Sequence, residues 1–436
     1  MRRSLAPFHS VALLALASLP LLALAQAPAE PAKPAEAPAA KPAPIALYGT
    51  LNVNLQVTSA TGATTATQNV LGRAAVSTDS SNIGVRGTLQ VNEYAGATYQ
   101  CETSAAVDGI SPAGICGRNS RIGVTGNWGT LFYGNWDTPF KAAAYGTKAD
   151  DPFMNTDVYG YQSIMGSPGF NYRSGGYSTG SATSIAGFDV RASNSVGYWS
   201  PAFYGVSVKL QYAVNEFMNA TATQDPSLYG AVINWNYMGF SVLAAYEQHN
   251  DGFSLVGING AAGANFGSTA ANSATGPGGS SNHTTDSAWR AGAGYQLDSP
   301  AGATTLGVLV DQLTLKQDKA PTGAVKEYKR LAWQVALKHR IGGHEIRARY
   351  SQADAGDVTL AGGVVGSTTD YGASMIALGY AYYFAPSFQA YLHYAQITND
   401  PQSQYTFTIG GSPAVAGATN RGADPMAVGL GLRYAF

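Results

Sequence analysis

Charge is scarce in this chain. Only 12% of its 436 residues are Asp, Glu, Lys or Arg, about half of what a large soluble domain carries. The formal net charge is −1, which excludes a polyanion such as nucleic acid as a partner held by bulk charge and does not fix an ion preference. Cysteine is nearly absent: Cys101 and Cys116 are the only two, so neither a cysteine-rich scaffold nor a multi-thiolate metal centre can form. The six histidines are His9, His249, His283, His339, His344 and His393, and none has a metal-ligand spacing. Neither a Gly-x-Ser-x-Gly elbow nor a phosphate-binding loop is present. These absences argue against an enzyme, and no cofactor is implied. After the first 25 residues no apolar run is long enough to cross a membrane as a helix, which takes about 20 residues.

What is present is small, aromatic and alternating. The chain holds 52 Gly and 26 Tyr. From Met426 to Phe436, Met426, Val428, Leu430, Leu432, Tyr434 and Phe436 share one parity, and Ala427, Gly429, Gly431, Arg433 and Ala435 the other. One greasy face and one small or charged face suit a strand between lipid and water, at the length a tilted strand needs to cross a bilayer. The same period-two pattern recurs upstream. Ile45, Leu47, Leu51, Val53, Leu55 and Val57 oppose Asn52, Asn54 and Gln56, and Ile83, Val85, Leu89 and Val91 oppose Asn82, Arg86, Thr88 and Gln90. Val206 to Val214, Phe240 to Tyr246, Leu331 to Leu337, Ile346 to Tyr350 and Phe388 to Tyr394 continue it. Thr304 to Lys316 alternates less cleanly, and a bulge is expected there. Tyr237, Trp289, Tyr383 and Phe384 near strand ends read as an interfacial aromatic girdle.

Short Gly-containing turns (126–129, 200–205, 237–239, 298–302, 341–343) alternate with long polar loops (250–286, 354–370, 399–425). Short turns on one rim and long loops on the other are the organisation of outer-membrane barrels. The expectation is an all-β fold: a transmembrane antiparallel barrel of about 16 strands over residues 45–436, in the outer membrane of a Gram-negative bacterium.

The N-terminal region supports export. Arg2 and Arg3 precede an apolar run from Val11 to Leu24, and Ala23-Leu24-Ala25 offers small residues for a peptidase. Residues 1–25 are therefore expected to be a cleaved signal peptide. Residues 26–44 follow as a periplasmic tether: Ala27 to Pro44 contains eight Ala and six Pro, enough to favour extended polyproline II spanning up to about 55 Å. Such an arm could contact the cell wall.

Leu47-Tyr48-Gly49, Asn82 to Gly87, Arg121 to Phe132, Ser163-Ile164-Met165-Gly166, Asn194 to Pro201 and the closing Val428 to Phe436 together resemble the general porins of β-proteobacteria. The resemblance covers the chain from about Ile45 onward. It implies a 16-stranded, water-filled homotrimeric barrel whose third extracellular loop folds into the lumen. It also implies contact with outer-membrane lipid and lipopolysaccharide, and assembly machinery that reads the closing strand through Tyr434 and Phe436. The segment Asp137 to Asp189 corresponds to that loop. Its carboxylates Asp137, Asp150, Asp151 and Asp157 would face lumen-wall bases across a constriction, with Arg86 and Arg121 closest to the loop's start. Lys209, Arg347, Arg349 and Arg433 share the inward orientation by parity. In an exported chain Cys101 and Cys116 suggest a disulfide in the second extracellular loop.

Three functions fit these readings: a general diffusion porin for ions and small hydrophilic solutes, a solute-specific channel of the same architecture with anion preference as one option, or a barrel-anchored structural or adhesive surface protein. Arg347 and Arg349 on one inward face would serve an anion in the second. Nothing encodes a plug domain, which weakens the third.

Overall fold

A strand with one apolar and one polar face needs lipid or protein on one side and water on the other. A sheet that closes on itself meets both needs and leaves no unpaired edge. The computed structural model has this arrangement. It describes residues 45–436 other than 110–113, 154–158, 170–172, 175–186, 215–225, 252, 255–282, 320–324, 363–364, 368–369 and 408–420. The expected signal peptide and tether lie outside the described residues, as does Asp157.

One antiparallel sheet of 19 strands forms the body. Three of them are short strands at the loop ends, Val70–Ser77, Asp357–Leu360 and Val365–Ser367. The remaining sixteen, in chain order, begin with β1 (Ala46–Thr61), β2 (Asn82–Gln90), β3 (Ala95–Ser104), β4 (Ser120–Gly126) and β5 (Gly129–Asp137). Next come β6 (Arg191–Trp199), β7 (Val206–Val214), β8 (Ser227–Tyr237), β9 (Phe240–Asn250) and β10 (Thr285–Ser299). The last six are β11 (Gly302–Lys316), β12 (Val325–Ile341), β13 (His344–Ala353), β14 (Ala373–Ala385), β15 (Phe388–Asn399) and β16 (Asp424–Ala435). Each pairs with its chain neighbour, and β1 closes the barrel against β16 from Thr50↔Ala435 to Thr61↔Asp424. The seam ends in two reciprocal backbone hydrogen bonds of 3.0 Å between Gly49 and Phe436. Gly49 leaves room there, since a Cβ would lie 2.6 Å from the Phe436 ring. The 16-strand expectation holds.

Strand parity follows the reading as well. On β1, Asn52, Asn54, Gln56 and Thr58 are buried inward while Leu47, Leu55 and Val57 are exposed outward. Three details differ. β11 pairs with β10 and β12 without a register shift, so no bulge lies in Thr304 to Lys316. Its alternation is blurred because the inward Leu309, Leu313 and Leu315 are themselves apolar and buried against chain inside the barrel. Tyr383 belongs to no girdle: it faces inward and its hydroxyl accepts a hydrogen bond from Arg347 (3.2 Å). The strand Val70–Ser77 continues β2 along the same edge of β1, interrupted where Asp79 turns in and accepts a hydrogen bond from the Tyr391 hydroxyl (3.1 Å).

Candidate functional site

The site is the lumen, and the segment joining β5 to β6 shapes it. That segment leaves the wall at a charged hinge: Asp137 is bridged to Lys141 (2.9 Å) and to Arg191 at the start of β6 (3.1 Å). Asn119 donates to the same carboxylate (2.9 Å). Beyond the hinge the described part of the segment has a wholly buried apolar face. Phe140, Ala143, Ala149, Phe153, Tyr159, Ile164 and Met165 pack with inward-facing Leu309, Leu313, Met375 and Ala377, and each buried Phe or Ile contributes about 1.5–3 kcal/mol. The wall opens with glycine where the backbone arrives. A Cβ at Gly294 would lie 2.1 Å from the Lys148 carbonyl carbon, and one at Gly379 2.8 Å from the Phe153 ring.

Two buried charge clusters pin the segment to the wall opposite its hinge. In the first, Asp151 accepts from Arg349 of β13, from the Phe153 N–H (3.1 Å) and from the Tyr161 N–H (2.8 Å). In the second, Arg290 of β10 grips both oxygens of Asp189 (2.8 and 3.1 Å) and also donates to Asp311 of β11 (2.9 Å). Arg330 of β12 donates to Asp311 (3.2 Å), to the Ile164 carbonyl (3.1 Å) and to the Ser167 carbonyl. Gly166 N–H completes the knot on Asp311 (2.8 Å). The side chains of Arg290, Arg330, Arg349, Asp151 and Asp311 have no exposed surface.

Between the loop's Gly146–Pro152 turn and the wall from β10 round to β1 lies a cavity of about 430 Å³. Five cations (Lys148, Lys338, Arg340, Arg347, Arg433) and three carboxylates (Asp150, Asp151, Glu345) line it. Two of those carboxylates are already neutralised, Asp151 by Arg349 and Glu345 by Arg347 at 2.6 Å. Asp150 faces Lys338 and has no ion pair among the described residues; burial in the loop pushes its carboxyl up to about 7. Arg340 lies 3.8 Å over the Tyr383 ring, and His393 is wedged against Phe153 (5.2 Å) and Tyr159 (5.1 Å). The surplus around the water is positive.

The sequence-derived residues thus separate. Arg349 meets Asp151, and Arg347, Arg433, Asp150 and Asp151 share the cavity. Arg86 and Arg121 do not meet the loop carboxylates as expected. Arg86 is exposed and lies 4.6 Å over the Tyr48 ring. Arg121 sits among Phe132, Trp136 and Trp199 at 5.1, 4.6 and 4.6 Å. Asp137 closes the hinge rather than facing the wall, and Lys209 lies over Trp199 at 5.5 Å. The reason is geometric: parity tells which face a residue is on, while strand tilt and stagger set its height and position around the barrel. Sequence reading missed Arg290, Asp311 and Arg330. The signal was there, because Arg290 and Asp311 stand directly opposite across the hairpin that turns at Ser299–Gly302. Cys101 and Cys116 form a disulfide with Cα atoms 4.7 Å apart.

A closed 16-stranded barrel with an apolar exterior, a polar lumen and an internal loop defines a transmembrane pore. Residues 11–402 match the profile of the Gram-negative porin family, and the chain belongs to that family: it is an outer-membrane channel for passive diffusion. No curated protein sequence matches it. Among solved structures it resembles the anion-selective porin from Comamonas acidovorans, with 19% identity and TM-score 0.65 over 90% of this chain and 100% of that one. The trimer form of OmpT from Vibrio cholerae aligns at 16% identity and TM-score 0.55 over 90% and 99%. OmpF of Salmonella typhi aligns at 16% and 0.52 over 90% and 97%. Identities this low speak for the fold alone.

Proposed function

We propose that this channel prefers anions, works as a homotrimer and uses the segment 137–190 as its constriction. The observation that carries the anion preference is the cavity lining. Once Asp151 and Glu345 are counted with their own arginines, Lys148, Lys338, Arg340 and Arg433 face Asp150 alone. Rings of fixed charge at close quarters enrich the counter-ion and set the sign of selectivity. The solved porin from C. acidovorans is anion-selective and OmpT of V. cholerae has a trimer form, which supports the first two parts of the reading. Three of the described histidines serve the wall: His339 bonds Thr304 (2.9 Å), His344 bonds Tyr380 (2.7 Å) and His393 packs under the loop. The other two, His249 and His283, pair with Glu247 (2.7 Å) and Asp251 (2.9 Å). We therefore assign no catalysis. Residues 1–25 are read as a cleaved signal peptide and 26–44 as a periplasmic tether, with Tyr434 and Phe436 presented to the assembly machinery.

The test is planar-bilayer recording of the purified trimer under a salt gradient. Conductance in steps of three and a reversal potential of the sign for chloride are expected, moving toward zero in Lys338→Glu/Arg340→Glu. A cation-sign reversal potential in the wild type overturns the anion assignment, and a folded barrel that does not conduct overturns the pore.

A further inference from the structure

On the wall at the hinge side of the loop the lumen has a second, different lining. Phe132 and Trp136 share the inward parity of β5, and Trp199 points inward from β6, whose one-residue register shift against β5 lies at Ser193–Asn194. The three rings meet edge to face or tilted, with centroids 5.0 to 5.6 Å apart. Glycine makes room for them, since a Cβ at Gly197 would sit 2.3 Å from the Phe132 ring. At the centre of the cluster is Arg121, whose Nε and Nη1 are enclosed and have no hydrogen-bond acceptor among the described residues. Its charge is held by ring faces and not by a carboxylate.

Trp136, Trp199 and Lys209 line a cavity of about 220 Å³, closed on the loop side by Pro139, Ala142 and Tyr145. Asp137 and Asn119 border it but are committed to each other, to Lys141 and to Arg191. Lys209 makes no ion pair among the described residues. The cavity therefore offers indole surface, one ammonium group and an uncompensated guanidinium behind the rings. It offers no free carboxylate to repel an anion. Its volume is below that of a drug-sized site and suits a solute with one ring.

We propose that this cavity is a binding site for small planar aromatic carboxylates, the ring seated on Trp136 and Trp199 and the carboxylate on the Lys209 ammonium. The site rests on the channel reading, because its solute reaches it from the lumen. It makes the pore selective among anions by shape and not only by sign. A saturated ring of equal charge loses the stacking contribution, and a small inorganic anion loses the apolar contact.

The experiment is open-channel block in planar bilayers bathed in KCl, with sodium benzoate added and sodium cyclohexanecarboxylate as the non-planar comparison. Block is expressed against each protein's own open current. Benzoate is expected to reduce the current in a saturable way, at a concentration at least about tenfold lower than cyclohexanecarboxylate. Trp136→Ala/Trp199→Ala should abolish that difference, Trp199→Phe should keep part of it, and Lys209→Gln should weaken both blockers. Equal block by the two acids, or unchanged discrimination in the double variant, overturns the proposal. If the protein conducts no KCl the channel reading fails on its own. The site is then decided by tryptophan quenching with 4-nitrobenzoate in detergent: saturable quenching that the double variant loses supports it, and its absence refutes it.

Discussion

Asp151→Asn should loosen the internal loop without unfolding the barrel. The carboxylate is enclosed, and it ties three groups together: Arg349 on the wall and the Phe153 and Tyr161 N–H groups of the loop. Asparagine can still accept one of the backbone N–H bonds, but its amide nitrogen meets the other donor, and Arg349 is left as a buried cation without a counter-charge. Removing one partner of a buried ion pair costs about 3–5 kcal/mol. The neighbouring polar cavity can let water reach the guanidinium, so the lower end applies. About 3 kcal/mol multiplies the released population roughly a hundredfold. The cost falls on the loop because the barrel's own ladder does not pass through Asp151: β13 remains paired with β12 and β14 throughout. Single-channel recording should show higher mean conductance and increased open-channel noise, at unchanged trimer yield. Asp151→Asn/Arg349→Gln, which orphans neither charge, should restore much of the quiet state. Wild-type conductance and noise in the single variant, or a double variant worse than the single, would refute the reasoning.

Three further outcomes follow from the geometry. Gly294→Ala places a Cβ against the Lys148 backbone, so the loop must shift and the conductance should change by more than for Gly109→Ala, where open space surrounds the site although a positive φ strains alanine. Asp150, with its carboxyl pushed up to about 7, is ionised at pH 8 and neutral at pH 6. Acidification thus removes the acid opposite Lys338 and should raise the anion-to-cation permeability ratio, measured as reversal potential, while Asp150→Asn should hold the low-pH value at both. Cys101→Ser/Cys116→Ser opens a crosslink between residues 15 apart and should lower stability in urea by about 3 kcal/mol, with conductance unaltered; equal urea midpoints would show that the denatured chain gains nothing from the release.

Much of the barrel was legible because a strand's side chains alternate strictly, and lipid on one face with water on the other turns that period into composition. Where both faces touch apolar matter the signal fails, as on β11: Leu309, Leu313 and Leu315 pack under the loop and made an unbroken strand look irregular. The broken second strand was missed for the opposite reason, since Val70–Ser77 carries Gly72, Arg73 and few large apolar residues. Loop 137–190 was legible as an acidic stretch, but its partners were not. Arg86 and Arg121 are near the hinge in sequence, whereas the loop crosses to β10–β13 and spends Asp151 and Asp189 there. The opposed pair Arg290 and Asp311 could have been read by pairing outward from the Ser299–Gly302 turn, because antiparallel register is fixed by the turn. Part of Arg121's aromatic surroundings could have been read the same way from the Gly126–Gly129 turn, because Arg121 pairs with Gly134, and Phe132 and Trp136 flank that glycine on the same parity.

The division of labour between arginine and lysine follows from the same accounting of donors. All three enclosed anchors are arginine, and two of them satisfy several oxygen acceptors: Arg290 takes Asp189 and Asp311, and Arg330 takes Asp311 and two loop carbonyls, while Arg349 takes Asp151 and the Met375 sulfur. A planar fork with five donors can do this away from water, whereas an ammonium group is a hydrated point charge. Every carboxylate the loop brings to that wall, within the described residues, is met by such a fork except Asp150. The loop's acidity is therefore consumed in holding the loop in place, and the field felt by a passing ion is set by the cations left over. An acidic loop that narrows the pore is for this reason compatible with a pore that passes anions: the sign of selectivity is decided by the unpaired charges at the water and not by the charge of the loop.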